Sequence, residues 1–503
     1  MPEHLLLALL RQFSFCQALQ EENVDSKCAA TDKAIFLKQH SAMAWNGSYI
    51  KNVFSAIALL LSLCADGFAA GRLLTDTVLN PSMFPGTERG ISVYATERCG
   101  GESALLLCFD GDVFASKAVL DSLVANGTMP PVVAVFVNPG VVKDSDGAAV
   151  RYNRSNEFDA LTGGMPDFVV DVLLPKVGRM LSPLGIGISA NPDMHAVAGA
   201  SSGGIAAFTL AWRRPDVFRR VYCSVGTFVA MRGGDGYPAL VRKTEPKPLR
   251  IFLHDGRNDA WNPLFGHWFD YNQLMESALR FAGYDVAHSW DDGGHSIRGG
   301  IREFPKAMEW LWRDWTEPLS AGRSQNDMLQ SLVVEGEGWE VADEKVEFPD
   351  HSLMKTSEGF VFGEKGGQST AISPDHRVLV EAERNSDWLV AGIVAADGSV
   401  ACRQRFYWLH NVEHCADTTV RQMTFDIRGN LFVATNMGVQ VCDQNGRVRA
   451  ILPLPGGAAV EAMKLIGDRL YAKSGATVYV RRLKTVGCSP SESPFKPVSQ
   501  GQG

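Results

Sequence analysis

The sequence predicts two regions of different class: a three-layer α/β sandwich on a mostly parallel sheet, followed by an all-β region whose strand spacing suits propeller blades. Three observations carry this. Between about residue 90 and Trp315, continuous apolar runs alternate with stretches of helical periodicity. The runs are continuous where a half-exposed strand would alternate, as expected of parallel strands buried on both faces. After Trp315 the helical periodicity stops, and short strands with turn signals take over.

The elements follow in order. "MAWNGSYIKNVFSAIALLLSLCADGFAAG", from Met43, has a lysine at 51, an apolar run from Val53 to Cys64 and small residues at Ala69 and Ala70. That is the layout of a secretory signal peptide, and the run is too short to span a membrane. The reading takes residues 1–70 as non-native leader and signal peptide with the start at Met43, Met1 being the alternative start. "ALLLCF" (104–109) and "PVVAVFV" (131–137) predict strands. "PDFVVDVLLPKVGRML" (166–181) predicts a helix; "HAVAG" predicts a strand, followed by a helix from about Ser202 to Trp212. Strands "RVYCSV" (220–225) and "LRIFLHDG" (249–256), a helix between Asn262 and Phe281, the strand "VAHSW" (286–290) and a helix over "FPKAMEWLWRDW" (304–315) complete the sandwich, taken as 71–316. Residues 317–335, including "TEPLSAGRSQND", form a polar linker. The all-β region is taken as 336–486, with Asp397-Gly398 and Asn445-Gly446 as hairpin turns. Residues 487–503 hold too little apolar material to pack and are expected to be disordered.

Composition narrows the function. A chain of 503 residues is too long for one core. Its net charge of −8 and the lack of a basic run argue against nucleic acid as a partner. Ten cysteines include no CxxC pair, so a thiolate zinc site is not expected. Cys108, Cys223 and Cys442 lie in apolar strand-like runs and read as small core residues.

Chemistry enters at "MHAVAGASSGGIAAF" (194–208), where an apolar strand runs into a helix through Gly199-Ala200-Ser201-Ser202-Gly203. In a G-x-S-x-G elbow the middle serine, Ser201, sits exposed on a tight turn, and the following backbone N–H, that of Ser202, helps bind an oxyanion. A serine nucleophile needs a base, and the base an orienting acid. His295, in "DDGGHS", follows the strand at 286–290; Asp255 and Asp259, in "HDGRNDAWN", follow the strand that ends near His254. Asp255 reads as a turn-former for Gly256, which favours Asp259 as the acid. His254 and His195 read as structural strand residues.

With these residues in place, the stretch "AGASSGGIAAFTLAWRRPDVFRRVYCSVGTF", together with "NRSNEFD" (153–159), "FVVDVLLPKV" and "GYDVAHSWDDGGH", resembles the esterase family of α/β-hydrolase fold that includes enterochelin esterases, the esterase-D type and feruloyl or acetyl-xylan esterases. The resemblance covers roughly residues 85–316. It implies Ser201 as nucleophile, His295 as base and Asp259 as acid. It also implies an oxyanion hole from the Ser202 N–H and the loop after "LLLCFDGD", near Gly111 and Asp112. Glu157 matches a family position that lines or braces the cleft and is taken as substrate-binding. Arg298 stands where relatives tend to carry another histidine, which bears on leaving-group preference.

The second region resembles the gluconolactonase/regucalcin-like six-bladed propeller through "AISPDHRVLVEA" and "MTFDIRGNLFVATNMGVQVCDQNGRVRAIL". Its length is roughly half of what six blades of ~40–45 residues need, so blades are missing. The family's metal-binding Glu, Asn and Asp fall on Asp350, Gln368 and Arg421. An arginine there repels a cation, so no metal is expected; Asp417 or Asp426 would substitute if the register moves by a few residues.

The combined reading is a secreted or periplasmic serine carboxylester hydrolase that works through an acyl-enzyme on a small ester or acylated carbohydrate, without cofactor, nucleic-acid partner or stable membrane insertion. Two other classes remain open. One is a metal-dependent sugar lactonase acting through the propeller; the other is a non-catalytic carbohydrate-binding protein.

Overall fold

The computed structural model describes residues 71–79, 82–348, 352–356, 359–363, 369–383, 385–411 and 420–488. The leader, the signal-like segment, Asp350, Gln368, Asp417 and the tail from residue 489 lie outside the described residues.

Eight strands form the body of one mixed sheet: β1 (Arg72–Leu79), β2 (Thr87–Ala95), β3 (Ala104–Phe109), β4 (Val132–Val137), β5 (His195–Ala200), β6 (Arg220–Ser224), β7 (Arg250–Gly256) and β8 (Asp285–Asp291). Their order across the sheet is β1-β2-β4-β3-β5-β6-β7-β8, and a hairpin of Val141–Lys143 and Ala149–Tyr152 extends the sheet beside the start of β2. From β4 to β8 every pairing is parallel; β1 and β2 run antiparallel to their neighbours. Every residue of β3 through β7 is buried, which is why these strands read as unbroken apolar runs.

Alternation appears one level down, in which layer each side chain enters. Leu105, Leu107, Phe109, Val133, Val135, Val197, Val221, Ile251 and Leu253 meet the helices Ser202–Arg213, Tyr237–Lys243 and Trp268–Phe281 on one face. Leu106, Cys108, Ala134, Phe136, Ala198, Tyr222 and Phe252 meet the helices Lys117–Ala125 and Ile297–Trp312 on the other. Two layers of helix on one sheet is the expected sandwich.

Several helices differ from the sequence expectation. Residues 166–181 contain a π-helical turn, Phe168–Leu173, between Gly164–Asp167 and Leu174–Leu181. The helix expected from Asn262 starts at Trp268, because Trp261–Asn262 pairs with Gly266–His267 in a small hairpin. The last helix starts at Ile297, capped by Ser296, and carries Pro305 in its interior. The stretch taken as linker holds the helix Asp327–Leu332, which buries Met328, Leu329 and Leu332 against the all-β region. Its cap, Asn326, accepts from the Met328 and Leu329 N–H groups, and its Nδ2 donates to Arg242 O (3.0 Å) and Arg449 O (2.8 Å). One side chain thus ties the sandwich to the strands that follow.

The all-β region contains three four-stranded antiparallel sheets and one two-stranded hairpin among the described residues. Thr370–Ile372, Val378–Ala382, Trp388–Val394 and Val400–Trp408 form one sheet, and Met423–Phe425, Leu431–Thr435, Gly438–Cys442 and Val448–Leu452 another. In the third, the meander Ala462–Ile466, Arg469–Ser474 and Thr477–Arg482 takes its outer strand from far upstream: Glu340 pairs with Val480 and Val341 with Tyr479. At both hairpins expected from Asp-Gly and Asn-Gly, only the glycine takes positive φ, Gly398 at 74° and Gly446 at 77°. Each glycine N–H closes a turn of one further residue, onto Ala395 O and Asp443 O, so these loops exceed the two-residue turn that needs both central residues at positive φ.

The interface between the regions is apolar at its centre, where Leu240 and Val241 join a core that includes Val433 and Ile451. A buried charge crosses it as well: Arg481 pairs with Glu245 at 2.6 Å.

Candidate active site

β5 ends at Ala200, and the helix Ser202–Arg213 begins two residues later, leaving Ser201 alone on the corner at φ 57°, ψ −119°. Such a conformation is costly for a residue with a side chain and persists only where the surroundings over-determine it. Here Ser201 N–H donates to Ser224 O (2.9 Å), and Ser201 O accepts from the N–H groups of Gly204, Ile205 and Thr227. The flanking glycines have separate reasons. A Cβ on Gly199 would lie 2.0 Å from Gly203 O, and one on Gly203 would lie 2.7 Å from Asp110 Oδ2.

Three side chains from three loops meet at this corner. Ser201 Oγ lies 2.9 Å from His295 Nε2, and His295 Nδ1 lies 2.7 Å from Asp259 Oδ1. The loops after β7 and β8 are bound to each other: Arg257 N–H donates to Asp291 O and Asn258 N–H to Gly293 O. A Cβ on Gly256 would strike Gly293 O at 2.2 Å, so a glycine is needed where the loops cross. The Trp268 ring meets the His295 ring edge to face at 5.5 Å, and its Nε1–H donates to Thr227 Oγ1, which in turn lies 3.3 Å from Ser201 Oγ. His295 is a third exposed while the Asp259 side chain is fully buried. The His295 ring is therefore reachable from solvent while the Asp259 carboxyl faces the interior.

Burial pushes the Asp259 carboxyl up, but hydrogen bonds from His295, Asp255 and the Ala260 N–H outweigh it and hold the group below its ordinary value. Asp255 goes the other way: burial first, then its contact with Asp259, push it up to about 10. It is Asp259 that reaches His295. Asp255 accepts the Gly256 N–H at 2.7 Å, as a turn-former should, but is fully buried.

The oxyanion loop corrects one expectation. Gly111 N–H is already used, donating to Val137 O at 3.2 Å, and so is not aimed at a substrate. Among the described residues, the Ser202 and Asp112 N–H groups have no acceptor. Asp112 is anchored by its side chain, whose Oδ1 takes Ser116 N–H and Oγ–H at 2.7 Å each. Arg154 holds the same loop from outside, bidentate to Asp110 at 2.6 and 2.7 Å, with Nη2 reaching Ala200 O at 3.2 Å. Sequence reasoning missed both Arg154 and Asp110, although each lies in a stretch it singled out, Arg154 in "NRSNEFD" and Asp110 in "LLLCFDGD".

Glu157 is a second correction. Expected to be substrate-binding, it has its carboxylate buried, paired with Arg89 at 2.9 and 3.0 Å, and accepting the Gly140 N–H at 2.8 Å. Arg89 is itself enclosed between the Phe84 and Phe168 rings. Glu157 braces the chain behind the site. Two residues on, Asp159 is fully buried; burial raises its carboxyl, opposed by hydrogen bonds from Ser155 and from the Ser202 hydroxyl and by Arg154 and Arg232.

Both histidines read as structural are so placed. His195 lies between Val217 O and Ser189 O. His254 bridges Ser224 Oγ (2.9 Å) and Asp291 Oδ2 (3.1 Å), and Asp291 Oδ1 accepts the Gly293 N–H of the loop that carries His295. Of the metal positions weighed from sequence, Asp426 is occupied otherwise, accepting from Arg428 N–H, Asn430 N–H, Asn430 Nδ2 and Thr485 Oγ1. Among the described residues no group of three or more His, Cys, Asp or Glu side chains is placed to hold a metal ion. A cavity of about 490 Å³ lies elsewhere, lined by residues such as Glu245, Arg323 and Lys484.

Residues 82–297 match the model of a family described as "Putative esterase". The chain is 28% identical over 260 residues to an iron(III) enterobactin esterase of Dickeya dadantii (strain 3937), covering 47% of this chain and 54% of the relative. It thus spans about half the length of that curated relative. Among solved structures, a ferulic acid esterase is 18% identical with a TM-score of 0.37, covering 49% of this chain and 99% of that one. The enterobactin esterase of Shigella flexneri is 21% identical with a TM-score of 0.38, covering 49% and 60%.

Proposed function

We propose, from the premise that residues 82–297 are a carboxylic ester hydrolase domain, that the chain is a secreted or periplasmic serine esterase acting through an acyl-enzyme. The single observation that carries the serine mechanism is the hydrogen-bonded line from Ser201 Oγ through His295 to Asp259. Ser201 Oγ attacks the ester carbonyl carbon as its proton passes to His295 Nε2. Asp259 accepts the Nδ1–H throughout, which fixes the tautomer that presents a bare Nε2 and stabilises the imidazolium that forms. The Ser202 and Asp112 N–H groups receive the negative charge on the carbonyl oxygen. His295 then protonates the leaving alkoxide, and water repeats the sequence to release the acid.

The substrate class in this reading is a small ester, an acylated carbohydrate or a related compound. Its support is the likeness of the following region to sugar-lactone propellers, an argument from domain company. The three four-stranded antiparallel sheets support reading 336–486 as a partial propeller. Secretion rests on the layout of residues 43–70, and N-terminal sequencing of the protein from its host tests it.

The deciding experiment is covalent labelling with a fluorophosphonate alongside turnover of p-nitrophenyl esters, acetylated xylan, feruloyl sugars and a catecholate siderophore, each against Ser201→Ala. Labelling and turnover confined to the protein with Ser201 support the reading. Turnover that survives in Ser201→Ala and falls on chelation would replace it with a metal-dependent lactonase.

A further inference from the structure

Two carboxyl groups are buried side by side at the end of β7, and their hydrogen bonds do not balance as two carboxylates. Asp259 Oδ1 accepts His295 Nδ1–H and the Ala260 N–H; Asp255 Oδ1 accepts the Gly256 N–H. Among the described residues, the second oxygen of each, Asp259 Oδ2 and Asp255 Oδ2, is buried and has no hydrogen-bond partner, and the two carboxyl groups are near enough to act on each other. A carboxylate can only accept, so two facing acceptors in a dry site leave both unsatisfied and place two negative charges together. One proton between them removes both faults.

We propose that Asp255 is a positioning residue for the catalytic acid: it is held protonated and donates a hydrogen bond from Oδ2 to Asp259 Oδ2. This rests on the reading of Ser201, His295 and Asp259 as the triad and deepens it. The choice of which carboxyl holds the proton follows from their partners. Asp259 faces His295, which becomes cationic during the reaction; the groups facing Asp255 are Asp259, Asp291 from β8 and the thiol of Cys223 from β6, none of them a cation. The raised value of Asp255, about 10, agrees with this. The consequence for the reaction is twofold. Asp259 is pinned through both oxygens, so His295 cannot swing away from Ser201. The donated proton also withdraws charge from Asp259, which keeps the base from holding its proton too tightly to return it to the leaving group.

Asp255→Asn keeps the pattern, since its Nδ2 can donate to Asp259 and its Oδ1 can accept from Gly256. Asp255→Ala removes the donor. The expected results are as follows. Asp255→Asn retains kcat/KM within about tenfold, with the acid limb of its pH profile unmoved; Asp255→Ala loses ~10–100-fold, and its acid limb rises by roughly half to one pH unit as Asp259 regains its full charge. Were Asp255 ionised instead, Asp255→Asn would remove a negative charge near the base and its acid limb would fall, which overturns the proposal. Infrared spectroscopy reads the proton directly and needs no activity. The wild-type protein at neutral pH should show a protonated-carboxyl C=O band that Asp255→Asn lacks, and absence of that band in the wild type also overturns the proposal. Failure of the triad itself shows separately, as loss of fluorophosphonate labelling in the wild type.

Discussion

Arg154 grips Asp110 with two parallel hydrogen bonds, Nε to Oδ1 at 2.6 Å and Nη2 to Oδ2 at 2.7 Å, and the same Nη2 reaches the carbonyl of Ala200. That joins the loop after β3, which offers the Asp112 N–H, to the residue just before Ser201. In the proposed mechanism it sets the spacing between the two oxyanion donors, the Ser202 and Asp112 N–H groups. Arg154→Ala should lower kcat about 10–100-fold with KM within a few-fold, because the donors act on charge that develops in the transition state. Arg154→Lys should not restore it, since an ammonium cannot make the paired contact. Steady-state kinetics on a p-nitrophenyl ester check both; a loss confined to KM would place Arg154 in substrate binding instead.

The two serines of the elbow should separate cleanly. Ser201→Ala should lose on the order of 10⁴-fold or more in kcat. Ser202→Ala keeps its backbone N–H and should stay within about tenfold in rate, and because its side chain is buried beside Asp159 any cost should fall on stability. Kinetics paired with chemical denaturation distinguishes the two effects, and equal rate losses would refute the assignment.

Glu157 should matter for folding and not for substrate. Glu157→Ala leaves Arg89 charged and buried between two phenyl rings, which should cost about 3–5 kcal/mol. Substrate affinity in the protein that remains folded should be unchanged. Denaturant midpoints and KM for a substrate series test this; a KM that rises selectively for one substrate would return Glu157 to the cleft.

Lys247 supplies a pH-dependent term. Burial first, and then Arg213 nearby, lower its ammonium to about 7 from an ordinary 10.5. Its Nζ lies over the Trp212 ring at 4.1 Å and donates to Trp212 O. The folded value lies below the unfolded one, so the unfolded chain binds the extra proton between about pH 7 and 10.5, and stability rises with pH across that window. Below it the full cost is present; above it none remains. Lys247→Met should therefore stabilise the protein near pH 6.5 by about 1–3 kcal/mol, allowing for partial solvent screening, and the gain should vanish by about pH 10.5. Urea denaturation at several pH values measures the difference, and a gain independent of pH would trace to packing.

The parts of this molecule that a linear reading finds are those whose cause is local. β3 and β4 announce themselves as unbroken apolar runs because both their faces are covered. The elbow is legible because the crossing at Gly199 and Gly203 tolerates no Cβ, and His295 and Asp259 follow from loop order once Ser201 is placed. The rest depends on partners distant in sequence. Arg154 and Asp110 are 44 residues apart, and Arg89 and Glu157 are 68 apart. Nothing in either neighbourhood reveals that one carboxylate guards the oxyanion loop and the other is sealed in the interior. Pro305 hid a helix that begins two turns before it, because a proline in mid-helix reads as a boundary. Asp327–Leu332 was concealed by its polar surroundings; its three apolar residues gain their meaning only from the sheets they pack against.

The pairing of Glu340–Val341 with Thr477–Arg482 puts two segments from near the two ends of the all-β region one strand spacing apart, ~4.8 Å. A region whose ends meet can be spliced into a host chain, or lifted out of one, without displacing what lies on either side. It can also be re-cut: joining the two ends and opening a loop elsewhere would preserve every sheet.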